Sequence, residues 1–303
     1  MDRPQELRFH TLDVFTERPF GGNPLAVVFG GEHLGTAQMQ TMAREFNLSE
    51  TVFVLPPTRS DCLHRIRIFT PTQEMPFAGH PTVGTACLLS ELRLAPSGEV
   101  ARFSLEENVG PVPVVVRRTV DRATYAELTT ATLPSYGAPA PERAALAAAL
   151  GLQSDDIGRG TEQPRSVSCG VPFLLVPLRA PELLAGIDVD AQRVRALLAG
   201  SSARELYVYA YGYEPGELRA RMFAPELGIA EDPATGAAAA ALAGALGMEA
   251  SGDGTLRWTI HQGVEMGRPS QLYISVDRVN GQVSAVRVGG YAVAISEGIL
   301  RLG

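Results

Sequence analysis

The stretch His80-Pro81-Thr82-Val83-Gly84-Thr85-Ala86 recurs later in the chain as Asp232-Pro233-Ala234-Thr235-Gly236-Ala237-Ala238. Proline and glycine stand at the same spacing in both heptads, and each heptad follows a Phe-x-Pro, which begins at Phe69 and at Phe223. The repetition indicates an internal duplication of one loop. Two matched loops predict one shared site.

A second pair of stretches repeats in the same order along the chain. Residues 22–28 (Gly-Asn-Pro-Leu-Ala-Val-Val) resemble residues 170–176 (Gly-Val-Pro-Phe-Leu-Leu-Val). The two pairs are offset by nearly the same number of residues, as a duplicated half with a few insertions would be. A chance resemblance is the alternative.

The length of the chain leads to the same division. Its 303 residues, 45% of them hydrophobic, exceed the usual size of one hydrophobic core, so we expect two domains. We place the N-terminal lobe at residues 1–122 and the C-terminal lobe at 123–288, with the crossing between them within 121–139.

Composition and charge exclude several classes of partner. The net charge is −7 and the basic residues are dispersed, which argues against a general nucleic-acid surface. The apolar stretches are shorter than the roughly 20 residues that a membrane span needs. Residues 1–7 lack the apolar run of a secretory signal, so we predict a cytoplasmic location. Small solutes or proteins are the expected partners.

The cysteines and histidines give no metal-binding pattern. Cys62, Cys87 and Cys169 form no Cys-x-x-Cys clip, and no two histidines are spaced as His-x-x-x-His. We therefore predict no metal site, and the three thiols are expected to be buried apolar filler.

Hydrophobic periodicity predicts interleaved helices and strands in which the strands predominate. Helices are predicted at 36–46, from the first heptad to about residue 92, at 141–151, at 189–199 and at 233–246. Strands are predicted at 8–15, 25–29, 51–55, 63–69, 205–211, 217–223, 255–262, 271–277, 283–288 and 291–296. Because most of these strands have hairpin spacing, the pattern favours an α+β fold over a doubly wound parallel sheet.

The prolines of the two heptads predict where the helices begin. Proline suits the first turn of a helix because its missing N–H is not needed there, which places His80 and Asp232 at the N-caps. The free N–H groups and positive partial charge of such an end predict an anion site. Gly79, Gly84 and Gly236 would permit close approach of a ligand, although ordinary caps with packing glycines would give the same pattern.

Two side chains are candidates for proton transfer. Histidine is a poor N-cap, unlike aspartate, so a functional role near neutral pH explains His80 better than capping does. A histidine that bridges two loops through hydrogen bonds is the alternative. Glu50 lies where a predicted helix ends and an apolar strand begins, and apolar neighbours would raise its pKa and suit it to general acid/base work. A solvated glutamate in a turn is the alternative for Glu50.

Seven stretches spread over the whole chain resemble the PhzF-like family of phenazine biosynthesis. They are Phe15–Pro24, Asn47–Thr51, Arg67–Pro71, Phe77–Thr82, Glu231–Gly236, Gln262–Gly263 and Met266–Ser270. The resemblance implies the diaminopimelate epimerase fold, in which two similar lobes each curl a mostly antiparallel sheet around a central helix and the site lies in the cleft between them. It also implies that residues from about 289 to 303 return to the N-terminal lobe, and that the protein is a homodimer.

The resemblance further implies an activity. The best-known enzyme of the family isomerises trans-2,3-dihydro-3-hydroxyanthranilate by moving a proton without a cofactor. By matching motif, Glu50 is similar to the family's general acid/base, and His80 and Asp232 match the other polar active-site positions. We therefore predict a cofactor-independent isomerase of a small, carboxylate-bearing substrate that is cyclic or unsaturated.

One position departs from the family pattern. The phenazine enzyme of the family has serine after Thr-Gly in the second heptad, where this chain has Ala237. We assign Ala237 to substrate binding, together with Gly79, Gly84 and Gly236. Because the serine hydroxyl is missing, the resemblance does not decide whether this chain uses the phenazine substrate.

Two alternatives stay open at this point. One is an epimerase or racemase of amino or hydroxy acids, which needs a base on each face of the carbon. The other is a small-molecule-binding homologue that has lost catalysis.

Overall fold

The computed structural model describes residues 5–118 and 122–302. The chain divides into two compact units, one formed by the residues up to Ala131 together with those from Gly289 onward, the other by Thr132–Val288. Both units combine helices with a larger number of strands. In the described residues no helix is long and apolar enough to span a membrane.

The first unit contains eight strands and two helices before its C-terminal segment. They are β1 (Gln5–Val14), β2 (Asn23–Phe29), α1 (Thr36–Phe46), β3 (Glu50–Leu55), β4 (His64–Phe69), β5 (Glu74–Met75), α2 (Gly79–Glu91), β6 (Val100–Glu107), β7 (Gly110–Arg117) and β8 (Thr124–Thr129). β2 pairs with β3 in parallel and β4 with β6 in parallel. The pairings β1–β2, β3–β4, β6–β7 and β7–β8 are antiparallel.

Helix α2 forms the core of the first unit. Every residue from Gly79 to Ser90 is buried, as expected of a helix that is enclosed on all sides. The helix contacts β1, β2, β3, β7 and β8. Helix α1 instead buries one face, formed by Met39, Met42 and Ala43, against a cluster that includes Phe53 and Phe69.

The second unit has a corresponding composition. Its elements are β9 (Ser135–Tyr136), α3 (Arg143–Leu150), β10 (Arg165–Ser168), β11 (Pro172–Pro177), α4 (Ala191–Leu198), β12 (Leu206–Tyr211), β13 (Glu217–Ala224), β14 (Ile229–Asp232), α5 (Gly236–Glu249), β15 (Gly254–Gln262), β16 (Ser270–Val279) and the start of β17 (Gln282–Leu302). Short 3-10 helices lie at Ser154–Asp156, Pro181–Gly186 and Pro225–Leu227.

Helix α5 is the buried helix of the second unit. It is rich in alanine, which favours helix and allows strands to approach closely, and it contacts β10, β11, β15 and β16. The other face of β11 and β12 packs with α3 and α4 in a cluster that includes Leu146, Val176, Val194 and Val208.

Most of the predicted elements are present with shifts of one to three residues, but the C-terminal strands differ from the prediction. The segments 283–288 and 291–296, predicted as two strands, form the single strand β17. Gly289 lies within it, and a Cβ there would stand 2.3 Å from the hydroxyl of Tyr125. The glycine therefore allows close packing of Tyr125 instead of making a turn.

The segment predicted to cross between lobes is also more ordered than expected. Residues 124–129 form β8, which pairs with β7 through Val114↔Leu128 to Arg117↔Tyr125. The alternation of buried and partly exposed residues in β8 is that of a sheet strand with one buried face. The chain therefore leaves the first unit after this strand, at Ala131.

Gly84, which we predicted to bind substrate, lies inside α2 and packs against two strands. A Cβ at this position would stand 2.6 Å from Val14 and 2.7 Å from Leu25. Its place in the structure is that of a packing glycine, which lets α2 lie close to β1 and β2.

We expect Gly84→Ala to lower the free energy of unfolding by about 1–3 kcal/mol, because the added methyl overlaps Val14 and Leu25 by more than the helix propensity of alanine can offset. Urea denaturation measures the change. Gly186→Ala is the matched control, since no described atom lies within 4 Å of its added Cβ. Equal stabilities for the two variants would contradict the packing role of Gly84.

Candidate active site

Two parallel strands bring the first set of polar side chains together. β2 begins at Asn23 and β3 begins at Glu50, and Leu25 is the partner of Glu50 in the register of the two strands. Helix α1 connects these strands and ends at Asn47, which takes a left-handed conformation with φ 51°. Because neighbouring parallel strands begin at the same edge of a sheet, Asn23 and Glu50 lie near each other.

Helix α2 begins earlier than predicted. Its N-cap is Ala78, and His80 is its second residue, so the prediction that His80 is the N-cap is wrong. Pro81 is the third residue of the helix, where it is tolerated because the N–H groups of the whole first turn have no partner within the helix. The ring of His80 is thus carried on the first turn itself, and it is buried.

His80 contacts both side chains from the strand edge. Its Nδ1 lies 3.3 Å from Oε2 of Glu50 and 3.4 Å from Nδ2 of Asn23. The side chain of His80 is 4% exposed and that of Glu50 is 15% exposed. The carboxylate is therefore the member of this group that a solute can reach.

Burial decides the charge of His80. It lowers the pKa of the imidazole to about 3, against a smaller opposing effect from the backbone of Pro24. A neutral imidazole can donate from Nδ1 to an ionised Glu50 and, in the other tautomer, accept a proton from a protonated Glu50. The pair can therefore hold Glu50 in place in both of its protonation states.

We expect the ring nitrogens of His80 to keep the NMR signature of a neutral imidazole from about pH 8 down to about pH 5, because the pKa lies well below this range. Nitrogen-15 chemical shifts measure it, with the urea-unfolded chain as the control in which the ring titrates at its usual value. The folded state should also lose stability as the pH falls below 6.5, since the unfolded chain binds the proton first. A His80 ring that is protonated at pH 5 in the folded protein would contradict this.

In the second unit, Asp232 does not cap α5. Asp232 is the last residue of β14, and α5 begins at Gly236 with Thr235 as its N-cap. The prediction that Asp232 is the N-cap is therefore wrong. The intervening backbone is held by side chains, because Gln262 donates to the carbonyl of Asp232 and Ser270 donates to that of Pro233.

Gln262 organises the loop that carries Asp232. Its amide nitrogen donates to the Asp232 carbonyl at 2.8 Å and to Oγ1 of Thr235 at 3.0 Å, and its oxygen accepts from the hydroxyl of Tyr207 at 3.0 Å. Thr235 in turn donates to Oδ2 of Asp232 at 2.6 Å. Burial, with a smaller contribution from Asp232, raises the pKa of Glu205 to about 7.

The predicted site residues thus fall into two groups, one in each unit. Glu50 and His80 are in contact in the first unit, where Gly79 is the buried first residue of α2. Asp232 lies three residues before the N-cap of α5, and Gly236 and the partly exposed Ala237 are the first two residues of that helix.

Two residues that the sequence did not single out take part in these groups. Asn23 belongs to the repeated Gly-x-Pro stretch and Gln262 to one of the family motifs, so both had a signal in the sequence. Neither had a feature that indicated its partner, because the contacts form only when distant segments meet.

Other chemistries find little support in the described residues. Within 5–118 and 122–302, no group of three or more histidine, cysteine, aspartate or glutamate side chains could hold a metal ion. Cys62, Cys87 and Cys169 are buried, and burial raises the pKa of each thiol, to about 12 for Cys169. A reactive thiolate is disfavoured at all three positions.

A carboxylate beside a neutral imidazole is an arrangement suited to general acid/base proton transfer. Comparison with known proteins specifies the class. Residues 12–298 match the family PhzC-PhzF, described as phenazine biosynthesis-like protein. The chain belongs to this family, and it is an isomerase.

Relatives in the family carry isomerase names. An uncharacterized isomerase of Mesorhizobium japonicum is 44% identical, covering 98% of this chain and 99% of its own length. A trans-2,3-dihydro-3-hydroxyanthranilate isomerase of Pseudomonas aeruginosa is 37% identical, covering 96% of this chain and 98% of its own length. The family resemblance and the isomerase class predicted from the sequence are therefore confirmed.

Solved structures with the same fold include enzymes of two kinds. A PhzF-family phenazine biosynthesis protein of Bacillus anthracis superposes with a TM-score of 0.87 at 24% identity, covering 98% of this chain and all of that one. A hydroxyproline epimerase of Agrobacterium vitis superposes with a TM-score of 0.63 at 15% identity, covering 98% of this chain and 93% of that one. At these identities the likeness concerns the fold alone, and it confirms the predicted α+β class with a fold of the epimerase type.

Proposed function

We propose that this protein is a cofactor-independent isomerase that moves a proton on a small, carboxylate-bearing, cyclic and unsaturated substrate, with Glu50 as the general acid/base. The observation that carries the proposal is the 3.3 Å contact between Oε2 of Glu50 and Nδ1 of a buried, neutral His80. The contact places a partly accessible carboxylate beside an imidazole that can donate a hydrogen bond to the ionised carboxylate and accept one from the protonated carboxyl group.

The proton transfer uses one carboxylate twice. Glu50 takes a proton from a carbon of the substrate, so that a C–H bond breaks and an O–H bond forms while the double bond shifts. The protonated Glu50 then returns the proton to a different carbon. Because one oxygen of Glu50 faces His80, we assign the other oxygen to the substrate, and His80 keeps the carboxyl group oriented through both steps.

The start of α2 supplies a place for the substrate carboxylate. The N–H groups of Gly79 and His80 belong to the first turn, which has no side-chain cap, and the helix dipole favours an anion there. We propose the same chemistry for Gly236 and Ala237 at the start of α5, and a polar role in turnover for Asp232.

We expect Glu50→Gln to lower kcat by a factor of about 10³ or more, because an amide can neither take nor return the proton while it preserves the size of the side chain. The assay follows turnover and the incorporation of solvent deuterium into the substrate.

Glu45→Gln, an exposed substitution on α1, is the matched control and should leave turnover unchanged. A Glu50→Gln variant that folds and keeps wild-type activity would contradict the assignment of Glu50 as the general acid/base.

Ala237 bears on which substrate is used. The relative from Pseudomonas aeruginosa named for trans-2,3-dihydro-3-hydroxyanthranilate is 37% identical to this chain, but Ala237 offers only its backbone N–H. A site built to hydrogen-bond a substrate group selects strongly for substrates that make the bond, so a site without that donor loses preference for them.

We therefore expect Ala237→Ser to raise kcat/KM for trans-2,3-dihydro-3-hydroxyanthranilate by about tenfold or more, because the new hydroxyl supplies one hydrogen bond to a charged group. Steady-state kinetics measure it, with Ala237→Gly as the control that adds no donor. Equal kcat/KM values for the serine and glycine variants would rule out the missing hydroxyl as the cause of selectivity.

The epimerase alternative gains less support from the site. Two bases on opposite faces of one carbon stand apart with the substrate between them, whereas Glu50 and His80 contact each other directly. Deuterium exchange at a stereocentre without movement of a double bond would favour an epimerase over the proposed isomerase.

A further inference from the structure

A second acidic side chain reaches the first turn of α2, from a different strand than Glu50. Glu107 is the last residue of β6, opposite Gly110 of β7, and it is 3% exposed. Its Oε1 lies 2.6 Å from Oγ1 of Thr82. Thr82 follows His80 by two residues on α2, so Glu107 touches the helix turn that carries the histidine.

Counting protons favours a neutral Glu107. The same Oγ1 of Thr82 lies 2.7 Å from the carbonyl oxygen of Ala78. A hydroxyl group has one proton and a carbonyl oxygen can only accept, so Thr82 cannot donate fully to both Ala78 and an ionised Glu107. A neutral Glu107 satisfies both contacts, because it can donate to Thr82 while Thr82 donates to Ala78.

Burial also favours the protonated form of Glu107. It raises the pKa of Glu107 to about 8, against smaller opposing effects from Thr82 and from the backbone of Ala78. Glu107 is therefore protonated near neutral pH, and it ionises at mildly alkaline pH, where enzyme activity can be measured.

The charged side chains on the elements next to Glu107 bind partners other than Glu107. Glu106 points to the opposite face of β6, where it accepts from Thr58 and from the backbone of Arg59 and is influenced by Arg65 of β4. Glu74 of β5 is bound by Arg67, and His80 of α2 faces Glu50. None of these groups contributes to the protonation of Glu107.

We propose that Glu107, held as a neutral acid, is a positioning residue that fixes the first turn of α2, and that its ionisation weakens anion binding at the N–H groups of Gly79 and His80. When Glu107 loses its proton, Thr82 turns its hydroxyl to the carboxylate, and the carbonyl of Ala78 keeps only the longer hydrogen bond from the backbone N–H of Thr82. A buried negative charge then stands beside the helix end that is to hold an anion. The site of anion binding rests on the proposed function, whereas the protonation of Glu107 does not.

The protonation is tested without any assay of activity. Difference infrared spectra between the wild type and Glu107→Gln should show the carbonyl stretch of one protonated carboxyl group at pH 7, which disappears as the pH rises to about 9. Glu106→Gln is the matched control and should leave this band in place. A spectrum without the band at pH 7 overturns the inference and leaves the role of Glu50 untouched.

The effect on binding is tested by separating KM from kcat. Between pH 7 and pH 9 the wild-type KM should rise roughly fivefold while kcat stays within about twofold, because the charge acts on the anion and not on the proton transfer. Glu107→Gln should remove the rise, since its amide can still donate to Thr82. Glu106→Gln should show the wild-type rise.

Thr82 provides a second test in the same protein. Thr82→Val should raise KM at pH 7, and Thr82→Ser, which keeps the hydroxyl, should restore it. If no turnover is found, calorimetric binding of 3-hydroxyanthranilate to the wild type and to Glu107→Gln replaces KM. A pH-independent affinity in the wild type overturns the inference, whereas full activity of Glu50→Gln overturns only the proposed function.

Discussion

The burial of α2 from Gly79 to Ser90 is the constraint on which the first unit and its polar group depend. Because strands enclose the helix, its first turn lies out of water, and any ionisable group on or beside that turn loses the solvation of its charged form. The effect is opposite for the two kinds of group: it keeps an imidazole neutral and a carboxyl protonated. One enclosed helix end therefore adjusts both His80 and Glu107 without an ion pair.

The two heptads show how a repeated sequence can serve different local structures. In the first copy the helix begins one residue before the heptad, and in the second it begins at the fifth residue. The glycines consequently differ in use, since Gly84 packs inside α2 whereas Gly236 opens α5. The difference arises outside the heptads, because Gln262 and Ser270 hold the backbone of the second copy in a loop.

Much of the secondary structure could be read from local patterns. Helix α1 has the predicted bounds because its apolar residues recur at helical spacing, and Glu50 was selected because it stands where a helix gives way to an apolar strand. The helix starts could not be read in this way, since proline is tolerated throughout the first turn and does not mark its beginning. The break predicted between residues 288 and 291 is absent, and Gly289 is explained by Tyr125, more than 160 residues away in the sequence. Glu107 lacked any local signal, because a glutamate at a strand end is ordinarily solvated and only the distant Thr82 makes it unusual.

Strand β17 has a consequence for the order in which the chain can fold. It extends from the second unit into the first, where Gln5 pairs with Leu302 and Val14 with Ala292. β1 therefore finds this partner only after the residues of β17 have been synthesised. Such a non-local pairing slows folding, since its loop must be closed before the contact is gained. One edge of β1 stays open until then, whereas the second unit is continuous in sequence and can fold before residues 289–302 are made.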